Sequence, residues 1–417
     1  MPLPISETVT PDTQADVADL LRRAHDTATP VYPVGGGTAL DFGMPAKKPG
    51  WGISTAGLKR VVDYPSRDMT ITVEAGMTMS ELSQTLASER QRLPIDAAQS
   101  DTATIGGVVA TNFSGPRRFG SGTVRDYVIG ISAVDGRGVA FKGGGRVVKN
   151  VAGYDFCKLL TGSLGTLAVI TQVTFKVRPI PDATAILTCG FQSLDDAEKL
   201  LAQLVHSQTN PSAIELVMTR GLKDTWHYDG HYAIVDSGTR GRIIVGFEGI
   251  QAEVNWMLNQ LEREWRETGV EVEPLYRFDE PREAAHLLDE LAQFQLSRDS
   301  SLVVKVAVPP SQLCRMVAKL EEVNPEVFIQ AHAGNGVILA SFPNLKSTEA
   351  SNAMIKRIHP AAVAAGGSAV VWSSSSPDEL TRPVVWGMVR DETFVMQSVK
   401  QQFDPKGLLN PGRFVYP

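Results

Sequence analysis

Three consecutive glycines at residues 35–37 follow a short apolar segment, and they constrain the fold more than any other stretch. Because glycine has no Cβ atom, the backbone here can adopt positive φ angles and approach a ligand closely. Successive amide N–H groups in such a turn can converge on an anion such as a phosphate or a pyrophosphate. Glycine triplets also occur in plain turns, so both interpretations stay open. No Gly-Lys-Ser/Thr follows, which excludes a P-loop, and the spacing of the G-x-G-x-x-G motif is absent.

The length of 417 residues predicts two or more domains. A hydrophobic content of 43% and a charged content of 21% are typical of a soluble globular protein. The net charge of −6 argues against nucleic acid as a partner, because nucleic-acid-binding proteins normally present a basic surface. No run of about 18 apolar residues occurs, and the first ten residues do not resemble a signal peptide. The sequence therefore predicts a cytoplasmic protein.

The spacing of the cysteines argues against an iron–sulfur or zinc site held by this chain alone. Cys157, Cys189 and Cys314 lie far apart and form no C-x-x-C pair, so they cannot by themselves hold an iron–sulfur cluster or a four-cysteine zinc ion. We interpret them as small buried hydrophobic residues in a reducing compartment.

The first 180 residues alternate short strands with short helices. Strands are predicted at residues 31–34 and 69–74, and Thr78 is a plausible helix N-cap with Glu81 as its capping-box partner. Residues 124–134 predict a further strand, which a hairpin turn at Asp-Gly-Arg-Gly follows.

Residues 102–112 are dominated by small side chains. Such a stretch leaves room for a large flat ligand against the backbone, and it is equally compatible with a tightly packed short helix.

The second half predicts an α+β layer with a sheet that is covered on one face. A linker containing two prolines, residues 178–181, separates the halves. Strands are predicted at residues 185–191, 213–218, 242–248, 302–308, 327–333, 336–341 and 368–372, and helices at 194–204, 254–265, 311–320 and 348–365. Residues 385–402 predict one more amphipathic helix.

Taken in order, four motifs resemble the FAD-binding domain of the vanillyl-alcohol oxidase/p-cresol methylhydroxylase (PCMH) superfamily. They are the glycine loop at 34–38, Ala-Gly-Met-Thr at 75–78, Thr-Ile-Gly-Gly at 104–107 and Gly-Ser-Leu-Gly-Thr-Leu at 162–167. The second half resembles the FAD-linked oxidase cap of that superfamily, and Asn-Pro-Gly-Arg-Phe at 410–414 resembles its C-terminal tail.

The resemblance implies an α+β fold with three parts. Residues 1–180 would form a PCMH-type FAD-binding domain of two subdomains, residues 181–380 a ferredoxin-like α+β cap, and residues 381–417 a helix and tail that return to the FAD domain. Within the superfamily, Gly-Pro-Arg-Arg at 115–118 and Val-Lys-Asn-Val-Ala-Gly-Tyr-Asp at 148–155 are similar to the FAD-binding subunit of glycolate oxidase.

The resemblance also implies FAD as the cofactor, with its pyrophosphate against the glycine loop. No histidine or cysteine stands where relatives tether their flavin, so we expect noncovalent FAD, with Cys157 in the core. The cofactor-binding residues implied are Val34, Gly35, Gly36, Gly37, Thr38, Ala39, Gly76, Thr104, Ile105, Gly106, Gly107, Ala110, Thr111, Asn112, Gly115, Arg117, Gly165 and Ile170.

Oxidation of a 2-hydroxy acid by a flavin needs a cation for the carboxylate and a base for the hydroxyl proton. Catalytic relatives supply a metal site in a motif like His-x-Gly-Asp-Gly-Asn-x-His, followed by a Glu-His pair. Here residues 332–339 keep only the first histidine, His332, because Leu339 replaces the second, and residues 368–373 lack the pair. One histidine is not a metal site, so we predict no metal, and His332 is either a hydrogen-bonded turn residue or a remaining ligand.

Lys305 is the other catalytic candidate, because it stands inside an apolar strand where a lysine is costly to bury. A similar lysine in relatives binds the substrate carboxylate; the alternative is an exposed edge or face residue. Arg117 and Arg118 could face phosphates, a partner or solvent. Five other histidines lack supporting neighbours and are taken as surface or core residues: His206, His227, His231, His286 and His359.

Three functions fit these observations. The first is the FAD-binding subunit of a glycolate (D-2-hydroxy acid) oxidase or dehydrogenase, which passes electrons to a sister flavoprotein subunit and an iron–sulfur subunit and meets the membrane only through them. The second is a self-sufficient FAD-dependent dehydrogenase of D-lactate or another 2-hydroxy acid. The third is a catalytically silent flavin-binding structural subunit.

Overall fold

The computed structural model describes residues 3–145, 153–218, 238–272, 275–293, 300–388 and 391–414. The chain forms two compact units. The first comprises Met1–Ser114, Gly122–Ile180 and Met388–Pro417, and the second comprises Gly115–Ser121 and Pro181–Gly387. The C-terminal segment therefore belongs to the unit that contains the N-terminus.

The first ten strands precede residue 180. They are β1 (Ile5–Val9), β2 (Val31–Val34), β3 (Gly50–Ser54), β4 (Val61–Asp63), β5 (Thr70–Glu74), β6 (Gln91–Arg92), β7 (Val128–Asp135), β8 (Ala140–Gly144), β9 (Ala168–Lys176) and β10 (Arg178–Pro179). The helices of the same stretch are α1 (Gln14–Thr27), α2 (Met79–Ala87), α3 (Ile105–Thr111), α4 (Arg118–Ser121), α5 (Val124–Tyr127) and α6 (Phe156–Leu160).

The remaining strands are β11 (Ala183–Phe191), β12 (Ala213–Met218), β13 (Gly241–Gly249), β14 (Leu275–Phe278), β15 (Leu302–Ala307), β16 (Phe328–His332), β17 (Val337–Phe342) and β18 (Ser368–Ser374). The remaining helices are α7 (Leu194–His206), α8 (Gln251–Glu267), α9 (Pro281–Gln293), α10 (Leu313–Val323), α11 (Ser347–Ala353), α12 (His359–Ala364), α13 (Arg382–Trp386) and α14 (Glu392–Phe403). A π-helical segment, Met354–Ile358, joins α11 to α12.

The first unit contains two main sheets. One is parallel, with the order β1-β3-β2, and the other is antiparallel, with the order β4-β5-β9-β7-β8. Helix α1 packs between them, and its Leu21 belongs to a core cluster with Ile53, Val134 and Val169. Leu409 of the C-terminal segment is part of the same cluster, so the tail contributes to the core of this unit.

Local signals placed most elements of the first unit correctly. Thr78 and Glu81 form the predicted capping box at the start of α2. The strand predicted at 124–134 is partly wrong, because residues 124–127 form the short helix α5. The Asp126 carboxylate accepts hydrogen bonds from the backbone N–H and the hydroxyl of Thr123, and this capping box favours a helical turn before β7 begins at Val128. Strand β1 lies where no strand was predicted.

The second unit is built on an antiparallel sheet with the order β14-β11-β13-β12-β16-β17-β15-β18. Helices α7, α8 and α10 pack against one another and against this sheet. Helix α9 packs on a cluster that includes Ile186, Val217 and Ile244. The alternate residues Leu187 and Ile243 are completely buried on the opposite face. The α+β class is confirmed, whereas β14 and α9 escaped prediction.

The single helix predicted at 385–402 is wrong. Helix α13 ends at Trp386 and is followed by Gly387, whose φ of +80° is a conformation that favours glycine, and α14 begins at Glu392. Among the described helices, none has the length and the apolar character needed to cross a membrane.

Candidate functional site

A cavity in the first unit opens beside the glycine loop. Together with the adjoining space open to solvent, it encloses about 860 Å³. Thirteen of the predicted cofactor residues line it: Val34, Gly35, Gly36, Gly37, Thr38, Ala39, Thr104, Gly106, Gly107, Ala110, Thr111, Gly165 and Ile170. Residues outside the prediction also line it, among them Leu40, Phe42, Asn410 and Arg413.

Five predicted cofactor residues do not line this cavity. Gly76, Ile105 and Asn112 lie in the first unit next to lining segments, and Gly115 and Arg117 belong to the second unit. Arg117 donates a hydrogen bond from Nε to Oε1 of Glu248 over 2.8 Å, and both side chains are largely buried.

The glycine loop is held against the segment that precedes α3. A Cβ atom on Gly35 would lie 2.0 Å from Oγ1 of Thr104, and one on Gly36 would lie 1.6 Å from the carbonyl oxygen of Thr102. Gly37 has a φ of +73°. The first two glycines are therefore required by the packing of two backbone segments, and the third by its dihedral angle. Both segments border the cavity.

Within the stretch 102–112, residues 105–111 form the short helix α3, which also borders the cavity, so the two interpretations of this stretch are compatible. Helix α3 presents Gly106, Gly107, Ala110 and Thr111 to the cavity. These small side chains leave the space that a flat ligand needs.

The C-terminal tail supplies a cation that the sequence prediction missed. Arg413 lines the cavity with only 6% of its surface exposed, and its Nη2 donates to the carbonyl oxygens of Leu40 and Phe42 over 2.5 and 2.8 Å. Desolvation lowers the pKa of this guanidinium, and the charge of Asp41 opposes that effect. An arginine remains protonated at neutral pH. The side chain thus brings a positive charge to the cavity.

Lys400 and Asp404 fasten this tail. Lys400 Nζ donates to the carbonyl oxygens of Thr166 and Leu409 over 2.6 and 3.1 Å and contacts Oδ2 of Asp404 at 2.6 Å. The Asp404 carboxylate also accepts from the backbone N–H groups of Leu408 and Leu409. The tail is therefore fixed to the turn that precedes β9.

A polar cluster lies within the sheet of the second unit and consists of Glu215, Gln330 and His332; we refer to it as the Glu215 cluster. Oε1 of Glu215 is 2.8 Å from Nδ1 of His332, and Oε2 accepts a hydrogen bond from Nε2 of Gln330 over 2.8 Å. Glu215 and Gln330 are completely buried and His332 is 1% exposed. Nε2 of His332 has no hydrogen-bond partner among the described residues.

Lys305 lies on an inner strand, so the interpretation as an edge residue is wrong. Its strand β15 pairs with both β17 and β18, where Lys305 faces Leu339 and Val370. The side chain is half-buried, and Nζ lies 5.2 Å from the centre of the Trp372 ring. Desolvation, with a contribution from the charge of Arg118, lowers the pKa of Lys305 to about 8. None of the described carboxylates pairs with it.

Strand register places His332 and Lys305 on the same face of the sheet. His332 faces Val337 on β17, and Leu339, two residues further on, faces Lys305. Directly opposed residues share a face, as do residues two apart on one strand. The two catalytic candidates are therefore brought together by pairings that a single sequence does not specify.

The region around His332 does not assemble a metal site from the described residues. Leu339, at the position of the second histidine of the motif, faces Gln330 and Lys305. Within the described ranges, no three His, Cys, Asp or Glu side chains are grouped to hold a metal ion.

The other histidines take separate positions. His359 Nε2 lies 3.0 Å from the carbonyl oxygen of Val384, whereas His206 and His286 are exposed. His227 and His231 lie outside the described residues.

Comparisons with known proteins agree with this geometry. The family model described as "FAD binding domain" matches residues 5–144, and the one described as "FAD linked oxidases, C-terminal domain" matches residues 180–370 and 389–414. The second match covers more than half of the chain. The chain belongs to the FAD-linked oxidase family. It is an FAD-dependent oxidoreductase, and the predicted PCMH-type superfamily, fold class and cofactor are confirmed.

Two curated relatives are similar along nearly the whole chain, and a third is similar over a shorter part of it. Glycolate oxidase subunit GlcD of Bacillus subtilis is 24% identical over 97% of this chain and 88% of its own length. D-lactate dehydrogenase of Archaeoglobus fulgidus is 26% identical over 98% of this chain and 90% of its own length. Glycolate oxidase subunit GlcE of Escherichia coli is 41% identical over 30% of this chain and 37% of its own length.

A solved structure of alkyldihydroxyacetonephosphate synthase shares the fold. It superposes with a TM-score of 0.70 at 20% sequence identity and covers 97% of this chain and 75% of that one.

The residues of the cavity fit the cofactor of this FAD-linked oxidase. One buried oxygen of the cavity lining, Thr104 Oγ1, lacks a hydrogen-bond partner among the described residues. A buried polar atom without a partner costs about 1–3 kcal/mol. FAD carries phosphate, hydroxyl and ring groups that both donate and accept hydrogen bonds, so a bound FAD can supply the partner that Thr104 lacks.

Proposed function

We propose that this FAD-linked oxidase oxidises a small 2-hydroxy acid, with glycolate to glyoxylate as its reaction, and serves as the FAD-binding subunit of a larger assembly. Support comes from relatives whose names specify glycolate and D-lactate, which are both 2-hydroxy acids, and which match 97–98% of the chain. In this proposal residues 1–180 bind FAD, residues 181–380 form the substrate cap, and residues 381–417 complete the FAD domain.

The cofactor is held without a covalent bond in this proposal. Among the residues that line the cavity there is no histidine or cysteine. Burial raises the pKa of the Cys157 thiol to about 11, so a reactive thiolate is not available at that position near neutral pH. Acid precipitation should release all flavin into the supernatant, and a yellow pellet would contradict the noncovalent assignment.

The observation that carries the proposal is the position of Lys305 beside the Glu215 cluster. Lys305 is a cation on a sheet face without a carboxylate partner among the described residues, which suits it to bind the carboxylate of a substrate. His332 on the same face has an unpaired Nε2, which suits it to accept the hydroxyl proton. FAD supplies the acceptor for the hydride that leaves the carbinol carbon.

The same relatives support the proposal of partner subunits. GlcD and GlcE are both named as subunits of glycolate oxidase, and this chain is similar to each. The three cysteines of the chain cannot hold an iron–sulfur cluster alone. We propose that electrons leave through a sister flavoprotein subunit and an iron–sulfur subunit, which would also provide any contact with the inner face of the membrane.

Anaerobic reduction of the purified, FAD-loaded chain tests the proposal. Glycolate, D-lactate and L-lactate are added in turn while the visible absorbance of oxidised flavin is followed, with acetate as the control that lacks a hydroxyl group. Reduction by glycolate only after the partner subunits are added supports the subunit assignment. A flavin that no 2-hydroxy acid reduces, with or without partners, contradicts the substrate class.

The second candidate is a self-sufficient D-lactate dehydrogenase. The similarity to the Archaeoglobus fulgidus D-lactate dehydrogenase favours it, because that similarity spans 90% of a protein named as an enzyme rather than as a subunit. Fast reduction of the isolated chain by D-lactate would select this candidate over the first. The third possibility is a structural subunit. It would be indicated if the flavin of this chain stays oxidised and the assembly oxidises its substrate normally when this chain carries no FAD.

A further inference from the structure

Glu215 is a completely buried carboxylate whose two oxygens are both occupied. Oε1 meets the His332 ring at 2.8 Å, and Oε2 accepts from the Gln330 amide at 2.8 Å. Burying a charged group is costly unless hydrogen bonds compensate it. Glu215 lies on β12 next to β16, which carries both partners, so the sheet pairing itself fixes this contact.

The contact links the protonation of the two side chains. An ionised carboxylate can only accept hydrogen bonds, so Nδ1 of His332 is the donor wherever Glu215 is ionised. In a neutral imidazole the other nitrogen is then an acceptor. Nε2 is that nitrogen, and it is buried without a partner among the described residues. Gln330 holds the second carboxylate oxygen and thereby fixes the orientation of the carboxylate.

We infer that Glu215 is a positioning residue that orients His332 as the proton acceptor of the reaction. The inference rests on the proposed oxidation of a 2-hydroxy acid. Nε2 of His332 takes the proton of the substrate hydroxyl, and the carbinol carbon loses its hydrogen together with the bonding electron pair, for which bound FAD is the acceptor. The C–O bond becomes a carbonyl. The negative charge of Glu215 stabilises the imidazolium until its proton returns to solvent.

The position of Lys305 agrees with this assignment. Lys305 lies two strands from His332 on the same face and is offset by two residues along the strands, which gives a backbone separation of about 12 Å. A lysine side chain and an imidazole ring can both reach a small acid within that span. Lys305 then holds the carboxylate while His332 meets the adjacent hydroxyl.

Nitrogen NMR of the FAD-loaded chain, labelled at histidine, tests the orientation directly. The His332 signals are assigned by their loss in His332→Gln. In the unsubstituted protein we expect a neutral ring protonated at Nδ1. A ring protonated at Nε2 would overturn the inference whatever the activity of the protein.

The variant Glu215→Gln tests the function of the contact. We expect kcat to fall on the order of 100-fold with unchanged KM and FAD content, and His332 to populate both neutral forms. Glu264→Gln is the matched control, because Glu264 is also a buried carboxylate that accepts from a glutamine amide, Gln260, over 2.6 Å. It should leave kcat and the His332 signals unchanged.

The outcomes separate the inference from the proposed function. An unchanged kcat in Glu215→Gln overturns the positioning role while leaving the substrate class in place. Failure of all 2-hydroxy acids to reduce the flavin, together with a ring protonated at Nδ1, overturns the proton transfer and the proposed function. If Glu215→Gln does not fold, the NMR experiment on the unsubstituted protein still decides the orientation.

Discussion

The cavity of the first unit is formed largely by backbone and small side chains, whereas the candidate site of the second unit is formed by polar side chains from separate strands. The glycine loop and α3 leave space for the cavity because their side chains are absent or small. A Cβ atom on Gly35 or Gly36 would collide with residues 102–104. Glu215, His332 and Lys305 instead contribute specific atoms. We therefore expect the cavity to be sensitive to substitutions that add atoms, and the candidate site of the second unit to be sensitive to substitutions that remove functional groups.

Substitutions in the first unit should change FAD content while the KM of the remaining loaded protein stays constant. Substitutions in the second unit should change KM or kcat while FAD content stays constant. A single substitution that changes both FAD content and KM would show that the two units do not act separately.

The largest effect is expected from Gly36→Ala. The new Cβ would lie 1.6 Å from the carbonyl oxygen of Thr102, so the loop must move, and overpacking of this kind costs about 1–3 kcal/mol or more. We expect the purified variant to lose nearly all bound FAD, measured by absorbance after desalting. Gly145→Ala is the matched control, because a Cβ there meets nothing within 4 Å. Full FAD content in Gly36→Ala would show that the loop does not border the cofactor.

The next effect is expected from Lys305→Met, which keeps the length of the side chain and removes its charge. Loss of a charge-assisted hydrogen bond of about 1.5–3 kcal/mol should raise KM for the 2-hydroxy acid roughly 10–100-fold. FAD content should not change. Steady-state kinetics measures both, and the exposed Lys199→Met on α7 should behave like the unsubstituted protein. An unchanged KM in Lys305→Met would remove this residue from the substrate site.

A smaller effect is expected from Arg413→Met in the cavity of the first unit. The change removes a positive charge and leaves the carbonyl oxygens of Leu40 and Phe42 without their donor. We expect FAD to bind roughly tenfold more weakly, measured by fluorescence titration of the apoprotein, with normal kcat per bound flavin. Arg413→Lys should recover part of the affinity. Normal FAD affinity in Arg413→Met would indicate that the guanidinium supports only the loop.

The smallest effect concerns pH. The pKa of Lys305 is lowered from 10.5 to about 8, so its ammonium form predominates below about pH 8 and is lost above it. Binding of a substrate carboxylate needs the ammonium, and KM should therefore rise several-fold as the pH increases from about 7 to about 9. In Lys305→Arg the charge persists over this interval, and the rise should disappear. A KM that falls with increasing pH would contradict the sign of this prediction.

Much of the first unit could be predicted because its signals are local. The capping box of Thr78 and Glu81 spans one helical turn, and the glycine motifs order the cavity segments along the chain. Arg413 was missed as a cavity residue because it lies more than 370 residues from the carbonyl groups it contacts. Only tertiary packing brings it there.

In the second unit, the sequence indicated strands and single candidate residues but not the contact between Glu215 and His332. The bounds predicted for β12 were correct, and Lys305 and His332 stood out as unusual residues in their strands. The sequence did not identify Glu215, which lies within β12, as a functional residue. A glutamate flanked by apolar residues does not show which distant side chain it contacts. That partner is 117 residues away in sequence.

The amino-acid sequence indicated most of the strands, helices and turns, because these depend on dihedral angles and hydrogen bonds between near neighbours. The order of the strands in the sheets depends on the folded structure, and so does the placement of Glu215, His332 and Lys305 on one sheet face. Strand pairing joins residues that are distant in the chain, and the energy that selects one register comes from the packing of the whole sheet.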